Sequence, residues 1–343
     1  MKELPVMDIS DLEKYDSQKM YKIYDKWPEI ARKSFESKHK IENVDNINHI
    51  VFAGMGGSGA IGDLFSSILS KTNIHVNVVK GYVLPHTVNS KTLVIIVSVS
   101  GNTAETFTIL KSAQKIGSKI ISFTSGGKIQ KYCIENGINH RIVPKFHSPR
   151  ATFPSYLYTI LKVLHQTLKI KQESIKESII ELEKTKNMIS SLNLDDDNPS
   201  LDIAKWITSH PMIYYPFGLQ SAAIRFKNSL QENAKQQSMT EDILEACHNG
   251  IIAWEKPSLV QPILIEGKDD FIKTKERWGI MREYFQMNKI SFKEIFSIDG
   301  NILTKLINLI YVLDYSTIYK AVLLRIDPTP VGPINFVKNK LEF

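Results

Sequence analysis

Two short loops carry residue types suited to holding an anion. The first, Gly54-Met-Gly-Gly-Ser-Gly59, follows an apolar run at 50–53 and precedes a helical pattern at 60–69. Glycines there let the backbone come close to a ligand, and the N–H groups and dipole of a helix N-terminus face an anion. The second, Ser98-Val-Ser-Gly-Asn-Thr103, follows the β-branched run 92–97 and precedes a helix over 104–116. Short hydroxyls both donate and accept, so Ser98, Ser100 and Thr103 at a helix N-terminus suit a phosphate monoester. Ordinary helix capping is the other use of Ser100 and Thr103. Two such loops on neighbouring strands point to a shared phosphate site. The Ser/Thr loop would grip the phosphate, and Gly56, Gly57 and Ser58 would lie near the rest of the ligand.

The glycine loop also reads as GxGxxG, a dinucleotide fingerprint. That reading requires an acidic residue about 20 positions on, at the end of the next strand, for a ribose hydroxyl. The next strand, 75–79, ends at Lys80 and offers no carboxylate. A nucleotide cofactor is therefore not expected.

The elements around these loops alternate. Strands are expected at 50–53, 75–79, 92–97, 119–124 and 141–143, with helices over 60–69, 104–116 and 129–136. The run 92–97 is almost continuously apolar, as for a strand covered on both faces. Such alternation implies an α/β fold with a doubly wound parallel sheet, whose right-handed crossovers put both loops at carboxyl ends of strands. Before it, 11–38 reads as mostly helix, with Ser10 as cap, Glu13 completing a capping box and Pro28 as a break. After it, helices are expected at 155–168 and 172–191, then an acidic, turn-forming linker at 192–199. The alternation resumes with strands at 211–216, 260–265 and 290–296 and helices at 219–236, 271–287 and 302–324. A short helix at 334–341 ends the chain. The residues show no internal repeat, yet two successive series of this kind suggest two related sheets. The division expected is 1–150, an N-terminal helix plus the first sheet, and 151–343, the second sheet with the linker and the C-terminal helix.

Composition limits the alternatives. The chain has 343 residues, 43% of them hydrophobic, and a net charge of +7. The lysines are scattered rather than clustered, which argues against nucleic acid as a partner. No uninterrupted apolar run reaches the ~18 residues of a membrane span, and the first residues lack a signal-peptide core, so a cytoplasmic protein without a membrane partner is expected. The cysteines, Cys133 and Cys247, are isolated and indicate neither a disulfide framework nor a zinc site. No HxH, HExxH or close Asp/Glu/His grouping appears, so no metal is expected.

The pair Gly54–Gly59 and Ser98-Val-Ser-Gly-Asn-Thr-Ala-Glu-Thr106 resembles the sugar isomerase (SIS) domain. Over nearly the whole chain the sequence is similar to the bifunctional phosphoglucose/phosphomannose isomerase family of archaea and some bacteria. Further matching segments are Ser148-Pro-Arg-Ala151, Gln231-Glu-Asn-Ala-Lys235, Glu245-Ala-Cys-His-Asn249, Asp327-Pro-Thr-Pro330 and Val337-Lys-Asn-Lys-Leu341. The resemblance implies two SIS-type doubly wound subdomains, each a mostly parallel sheet flanked by helices. It also implies interconversion of glucose 6-phosphate and mannose 6-phosphate with fructose 6-phosphate through a cis-enediol, with neither metal nor other cofactor.

That reaction needs a base to carry a proton between C1 and C2, help in opening the ring, and positive charge beside the developing enediolate. The resemblance assigns the base to Glu232 of the Glu-Asn-x-Lys motif. The resemblance makes Arg150 the cation, which stabilises charge without competing for the proton. It gives ring opening to His248 and to Lys338, with Lys340 close by. In related isomerases the histidine comes from the other subunit, which implies a homodimer. One departure stands out: His-Asn-Glu is the expected pattern, and here Gly250 replaces the carboxylate. Two other functions fit the loops alone: a phosphosugar-sensing SIS module without catalysis, and an isomerase of another phosphosugar.

Overall fold

A computed structural model describes residues 7–341. The chain forms two compact units, Lys26–Ile179 with Val337–Phe343, and Met1–Asp25 with Ile180–Phe336. The first is built on a five-stranded sheet and the second on a four-stranded one.

In the first unit the strands are β1 (His49–Ala53), β2 (His75–Val79), β3 (Leu93–Ser98), β4 (Lys119–Thr124) and β5 (Asn139–Ile142), in the spatial order β2-β1-β3-β4-β5. Every pairing is parallel; β1 meets β3 with Ile50 opposite Leu93 and Ala53 opposite Ile96. All six residues of β3 are buried, which explains its unbroken apolar run. One face of the sheet, with Val51, Val94 and Ile96, packs under Ile109, Leu110 and Ala113 of helix Ala104–Ile116 and Ile129 and Cys133 of helix Gly127–Glu135. Elsewhere Phe52 of β1 stacks on Phe65 of helix Gly57–Leu69, with ring centroids 4.9 Å apart. Helix Phe153–Leu164 is buried at every position except Lys162, and helix Trp27–Phe35 is tied to its start by a hydrogen bond from Trp27 Nε1 to the Ala151 carbonyl at 3.0 Å.

The second unit holds β6 (His210–Tyr215), β7 (Met239–Asp242), β8 (Val260–Glu266) and β9 (Lys293–Phe296), ordered β7-β6-β8-β9 and again all parallel. Strand for strand, this repeats the order of β2-β1-β3-β4. The two sheets are thus related in topology although the residues show no repeat. The spine of this unit is helix Ile302–Leu323. By length and composition it could cross a membrane, but 89% of that window is buried inside the protein. Its tyrosines run as a ladder of satisfied hydroxyls: Tyr311 donates to the Tyr24 carbonyl, Tyr315 to Asp25 Oδ1 and Tyr319 to the Ile189 carbonyl, each at 2.7 Å.

Some local expectations fail. The stretch 11–38 is not one helix broken at Pro28 but three short ones, Ile9–Tyr15, Met20–Tyr24 and Trp27–Phe35. The first is capped by Asp8 with Asp11 closing the box, so Ser10 and Glu13 are not its capping pair. Lys19 at φ 54° begins the second helix without any glycine to announce it, and Pro28 sits in the first turn of the third, where its missing N–H costs nothing. Helix Pro199–Trp206, capped by Asn198, and β7 were not foreseen.

Candidate functional site

The strand order places a topological switch between β1 and β3, because the chain leaves β1 for β2 on one side and returns to β3 on the other. Open α/β sheets bind ligands at the carboxyl ends of strands flanking such a switch. Both anion loops lie there. Gly54–Gly56 leads from β1 into helix Gly57–Leu69, and Val99–Thr103 leads from β3 into helix Ala104–Ile116. They are joined by a hydrogen bond from the Val99 amide to Ser58 Oγ at 3.3 Å.

Neither helix has a side-chain cap at its N-terminus. Thr103 stands at the cap position with extended backbone, yet its hydroxyl faces Ser98 Oγ at 3.2 Å and Ser100 Oγ at 3.4 Å rather than the helix amides. The capping alternative therefore fails for Thr103. Ser98 Oγ accepts from the Gly101 amide at 3.1 Å and Ser100 Oγ from the Asn102 amide at 3.2 Å. Three hydroxyls thus cluster at a helix N-terminus whose first amides no side chain caps, an arrangement that suits a dianion.

The second loop is itself braced by a third. Asn102 Oδ1 accepts from the Lys128 amide at 3.0 Å, and the Gly101 carbonyl accepts from the Ile129 amide at 2.9 Å, so the loop satisfies first-turn donors of helix Gly127–Glu135. Gly101 has φ +66°, and a Cβ there would stand 1.7 Å from the Gly126 carbonyl oxygen. Only glycine allows this approach. Asn102 and Ser125–Gly127 escaped the sequence reading; the cue was a second Ser-Gly turn, Ser125-Gly-Gly127, after β4.

Arg150 is 5% exposed, so it is no surface cation. It sits in the turn that begins at Ser148, whose carbonyl accepts from the Thr152 amide at 3.0 Å. A Cβ on Gly57 would meet the Pro149 carbonyl oxygen at 3.3 Å and the Arg150 amide nitrogen at 3.5 Å. The turn carrying Arg150 therefore rests directly on the start of the first anion loop's helix. Gly56, Gly57, Ser58, Ser98, Ser100, Thr103 and Arg150 are thus brought to one end of one sheet.

Past the end of β2 stands a lysine with its own partner. Lys80 forms an ion pair with Asp63 of helix Gly57–Leu69 at 2.5 Å, and its Cε would lie 3.1 Å from a Cβ on Gly59. The lysine stem lies against the glycine loop where the nucleotide reading needed a carboxylate.

Glu232 and His248 belong to the second unit. Glu232 is half-buried in the last turn of helix Gln220–Asn233. That helix is pinned along one face: Arg225 grips the fully buried Asp314 with Nε at 3.0 Å and Nη2 at 2.6 Å, Ser229 Oγ donates to Asp314 Oδ1 at 2.8 Å, and Asn233 Nδ2 donates to Thr317 Oγ1 at 2.8 Å. Burial pushes the Asp314 carboxyl up, against the opposing pull of Arg225 and Ser229. Beyond the helix, Lys235 Nζ donates to the carbonyls of Glu232 at 2.5 Å, Pro330 at 2.8 Å and Pro328 at 3.3 Å. The Glu-Asn-x-Lys and Asp-Pro-Thr-Pro segments are thereby knotted together, and Lys235 is a residue the sequence reading left without a role.

His248 is exposed and follows helix Ile243–Ala246, whose start Asp242 caps. Its amide donates to the Glu245 carbonyl at 2.9 Å, and Asn249 Nδ2 donates to Glu245 Oε1 at 2.7 Å. Lys338 is exposed in the last turn of helix Gly332–Lys340.

Comparison with known proteins divides the chain between two family descriptions: the SIS domain over residues 44–156, and the bacterial phospho-glucose isomerase C-terminal SIS domain over residues 196–341. A bifunctional phosphoglucose/phosphomannose isomerase of Caldicellulosiruptor bescii is 32% identical over 332 residues, covering 92% of this chain and 96% of that protein. A D-glucosamine-6-phosphate 4-epimerase of Sulfolobus acidocaldarius is 32% identical over 234 residues, 68% of this chain and 72% of that one. Among solved structures, the C-terminal domain of glucosamine-fructose-6-phosphate aminotransferase from Francisella tularensis superposes with a TM-score of 0.69 at 13% identity, over 91% of this chain and 98% of that one. This last likeness is one of fold.

Proposed function

The chain belongs to the bifunctional phosphoglucose/phosphomannose isomerase family, and we propose from that premise that it interconverts glucose 6-phosphate and mannose 6-phosphate with fructose 6-phosphate through a cis-enediol, without a metal. The observation that carries the reading is the cluster of Ser98, Ser100 and Thr103 hydroxyls over an uncapped helix N-terminus beside the glycine loop, in a chain that aligns over 92% of its length with a relative of that name.

The phosphate is held by those hydroxyls and the adjacent amides, and the Gly56–Ser58 segment borders the sugar. Ring opening breaks the C1–O5 bond: the O1 hydroxyl gives up its proton, O5 takes one, and His248 and Lys338 serve those transfers. Glu232 then removes the proton on C2. The electrons of the C2–H bond form the C1–C2 double bond, and the carbonyl oxygen at C1 becomes an enediolate oxygen. Arg150 stabilises that negative charge from a buried position, where a fixed cation acts more strongly than in water. The O2 proton passes to O1, and as the C2–O2 carbonyl forms the electrons of the C1–C2 double bond take the proton back at C1, which gives the ketose. The base is carried on a helix locked by the Arg225–Asp314 pair, which suits a group that must hold its aim. The assembly we propose is a homodimer, with His248 contributed across the subunit interface, in the cytoplasm.

A coupled assay tests this, with glucose 6-phosphate and mannose 6-phosphate side by side and EDTA present. Fructose 6-phosphate from both is expected; a strict metal requirement or product from neither sugar refutes the reading. A second reading rests on the similarity to a glucosamine-6-phosphate 4-epimerase. Glucosamine 6-phosphate belongs in the same assay, and its conversion to the 4-epimer in place of isomerase turnover would favour that activity.

A further inference from the structure

Helix Gln220–Asn233, which carries Glu232, is capped at Ala234, and Lys235 just beyond takes φ 54°. Glycine is the usual occupant of that left-handed position after a helix, and a lysine holds it under strain. Lys169, Lys289 and Arg325 hold it as well. Among the described residues those three side chains form no hydrogen bond, so elsewhere the position serves the backbone alone.

The ammonium of Lys235 instead reaches three carbonyls, those of Glu232 at 2.5 Å, Pro330 at 2.8 Å and Pro328 at 3.3 Å. The first belongs to the backbone of the base itself, in the last helical turn, where carbonyls lack amides farther along the helix. Capping the helix would need that contact alone. The other two acceptors lie 95 and 93 residues along the chain, in a segment with little freedom of its own. Pro328 and Pro330 have a fixed φ. Asp327 holds the segment through both carboxylate oxygens: Oδ1 accepts from the Thr329 amide at 2.8 Å and Oδ2 from Ser17 Oγ at 2.5 Å. All of these residues belong to the second unit. Arg225, Ser229 and Asn233 fasten the buried face of the helix to helix Ile302–Leu323, whereas the tie through Lys235 grips Glu232 at its own backbone. A base that moves a proton between adjacent carbons loses much of its rate when displaced by about an ångström.

We propose that Lys235 is a positioning residue for the base: its ammonium braces the carbonyl of Glu232 against the Asp327–Pro330 segment and so fixes the reach of the carboxylate to C1 and C2 of the substrate. The role rests on the function given to Glu232 above.

The test compares Lys235→Met, Lys235→Arg and Lys235→Gly with the control Lys289→Gly. Lys235→Met removes the donors and keeps the stem and the strain. Lys235→Gly removes donors and strain together, and Lys289→Gly removes the strain at a place without a tie. Lys235→Met and Lys235→Gly should each lower kcat by about tenfold to a hundredfold, with KM within about twofold of the wild type. Lys289→Gly should keep the wild-type kcat, and Lys235→Arg, which again carries donors on a long stem, should recover part of the loss. Independently of turnover, the Thr329 amide is a reporter, because the prolines on either side of it have none. It should exchange with solvent about tenfold faster in Lys235→Met. A Lys235→Met protein that melts earlier yet turns over at the wild-type rate below its transition makes Lys235 structural and overturns the proposal. So does a Thr329 amide whose exchange is unchanged. If Lys235→Met does not fold, Lys235→Gly, relieved of the strain, decides by the same two readouts. A wild type without isomerase activity sinks the proposed function, and the Thr329 exchange then decides the tie alone.

Discussion

Gly101→Ala probes the step from backbone conformation to ligand loop. Gly101 has φ +66°, and so has a natural control in Gly117, with φ +78° and nothing within 4 Å of a would-be Cβ. Both substitutions force an L-residue into the left-handed region, which costs about 1 kcal/mol. At Gly117 that is the whole effect. At Gly101 the new Cβ would lie 1.7 Å from the Gly126 carbonyl oxygen, where contacts under 3.0 Å essentially never occur, so two stretches of backbone must part by more than an ångström. That movement sacrifices the bonds from the Ile129 amide to the Gly101 carbonyl and from the Lys128 amide to Asn102 Oδ1, at about 1 kcal/mol each. The expected loss is about 3 kcal/mol against about 1 for the control. For a unit of this size that is a fall in Tm of roughly 6–12 °C against 2–4 °C, measured by calorimetry on the two purified variants. Affinity for a sugar phosphate should fall as well in Gly101→Ala, because Ser100 and Thr103 move with the loop. A Gly101→Ala protein that melts within about 2 °C of Gly117→Ala would refute the claim that the close approach of the two loops shapes the anion site.

Three further outcomes follow from the geometry. Thr103→Val should leave Tm within about 1 °C, because the hydroxyl caps nothing, while raising KM for the sugar phosphate about tenfold, the worth of a hydrogen bond to a charged group; a falling Tm with unchanged KM would make Thr103 a structural cap. Asp314→Ala strands the Arg225 guanidinium in the core and should cost about 3–5 kcal/mol in urea unfolding, whereas Arg225→Met with Asp314→Leu should regain most of it; equal losses in both would refute the buried-pair account. Burial pushes the Asp270 carboxyl up despite its bonds from Trp278 and the Gly267 amide, so the folded wild type holds that proton more tightly than the unfolded chain. The wild type is therefore relatively most stable below the unfolded value and loses stability as pH rises through the folded one. The Tm of Asp270→Asn relative to wild type should climb between pH 4 and pH 7, and a constant difference across that range would contradict the direction.

Legibility in the sequence followed the locality of the cause. β3 and helix Ala104–Ile116 were visible because their burial is written in consecutive or periodic apolar residues. The uncapped loops were visible because glycine and short hydroxyls have few other reasons to stand between a buried strand and a helix. β7, Met239-Thr-Glu-Asp242, was not, since a four-residue edge strand with one apolar residue carries no alternation and takes its register from β6. The breaks at Asp16 and Lys19 were hidden because no glycine or proline marks them. Asp8 displaced Ser10 as cap because both can accept from nearby amides and only the backbone turn decides between them. The same holds in the candidate site. Asn102 and Lys235 act on partners far along the chain, and no spacing rule connects them.

The central claim is that Glu232 moves the C2 proton of a hexose 6-phosphate. Glucose 6-phosphate and mannose 6-phosphate are each incubated in D2O with EDTA, and deuterium in the fructose 6-phosphate product is read by NMR for the wild type and for Glu232→Gln. The wild type should convert both sugars and place solvent deuterium at C1, and Glu232→Gln should be slower by about a hundredfold to ten-thousandfold while still binding the sugar phosphate. Wild-type rates of conversion and exchange in Glu232→Gln would contradict the account.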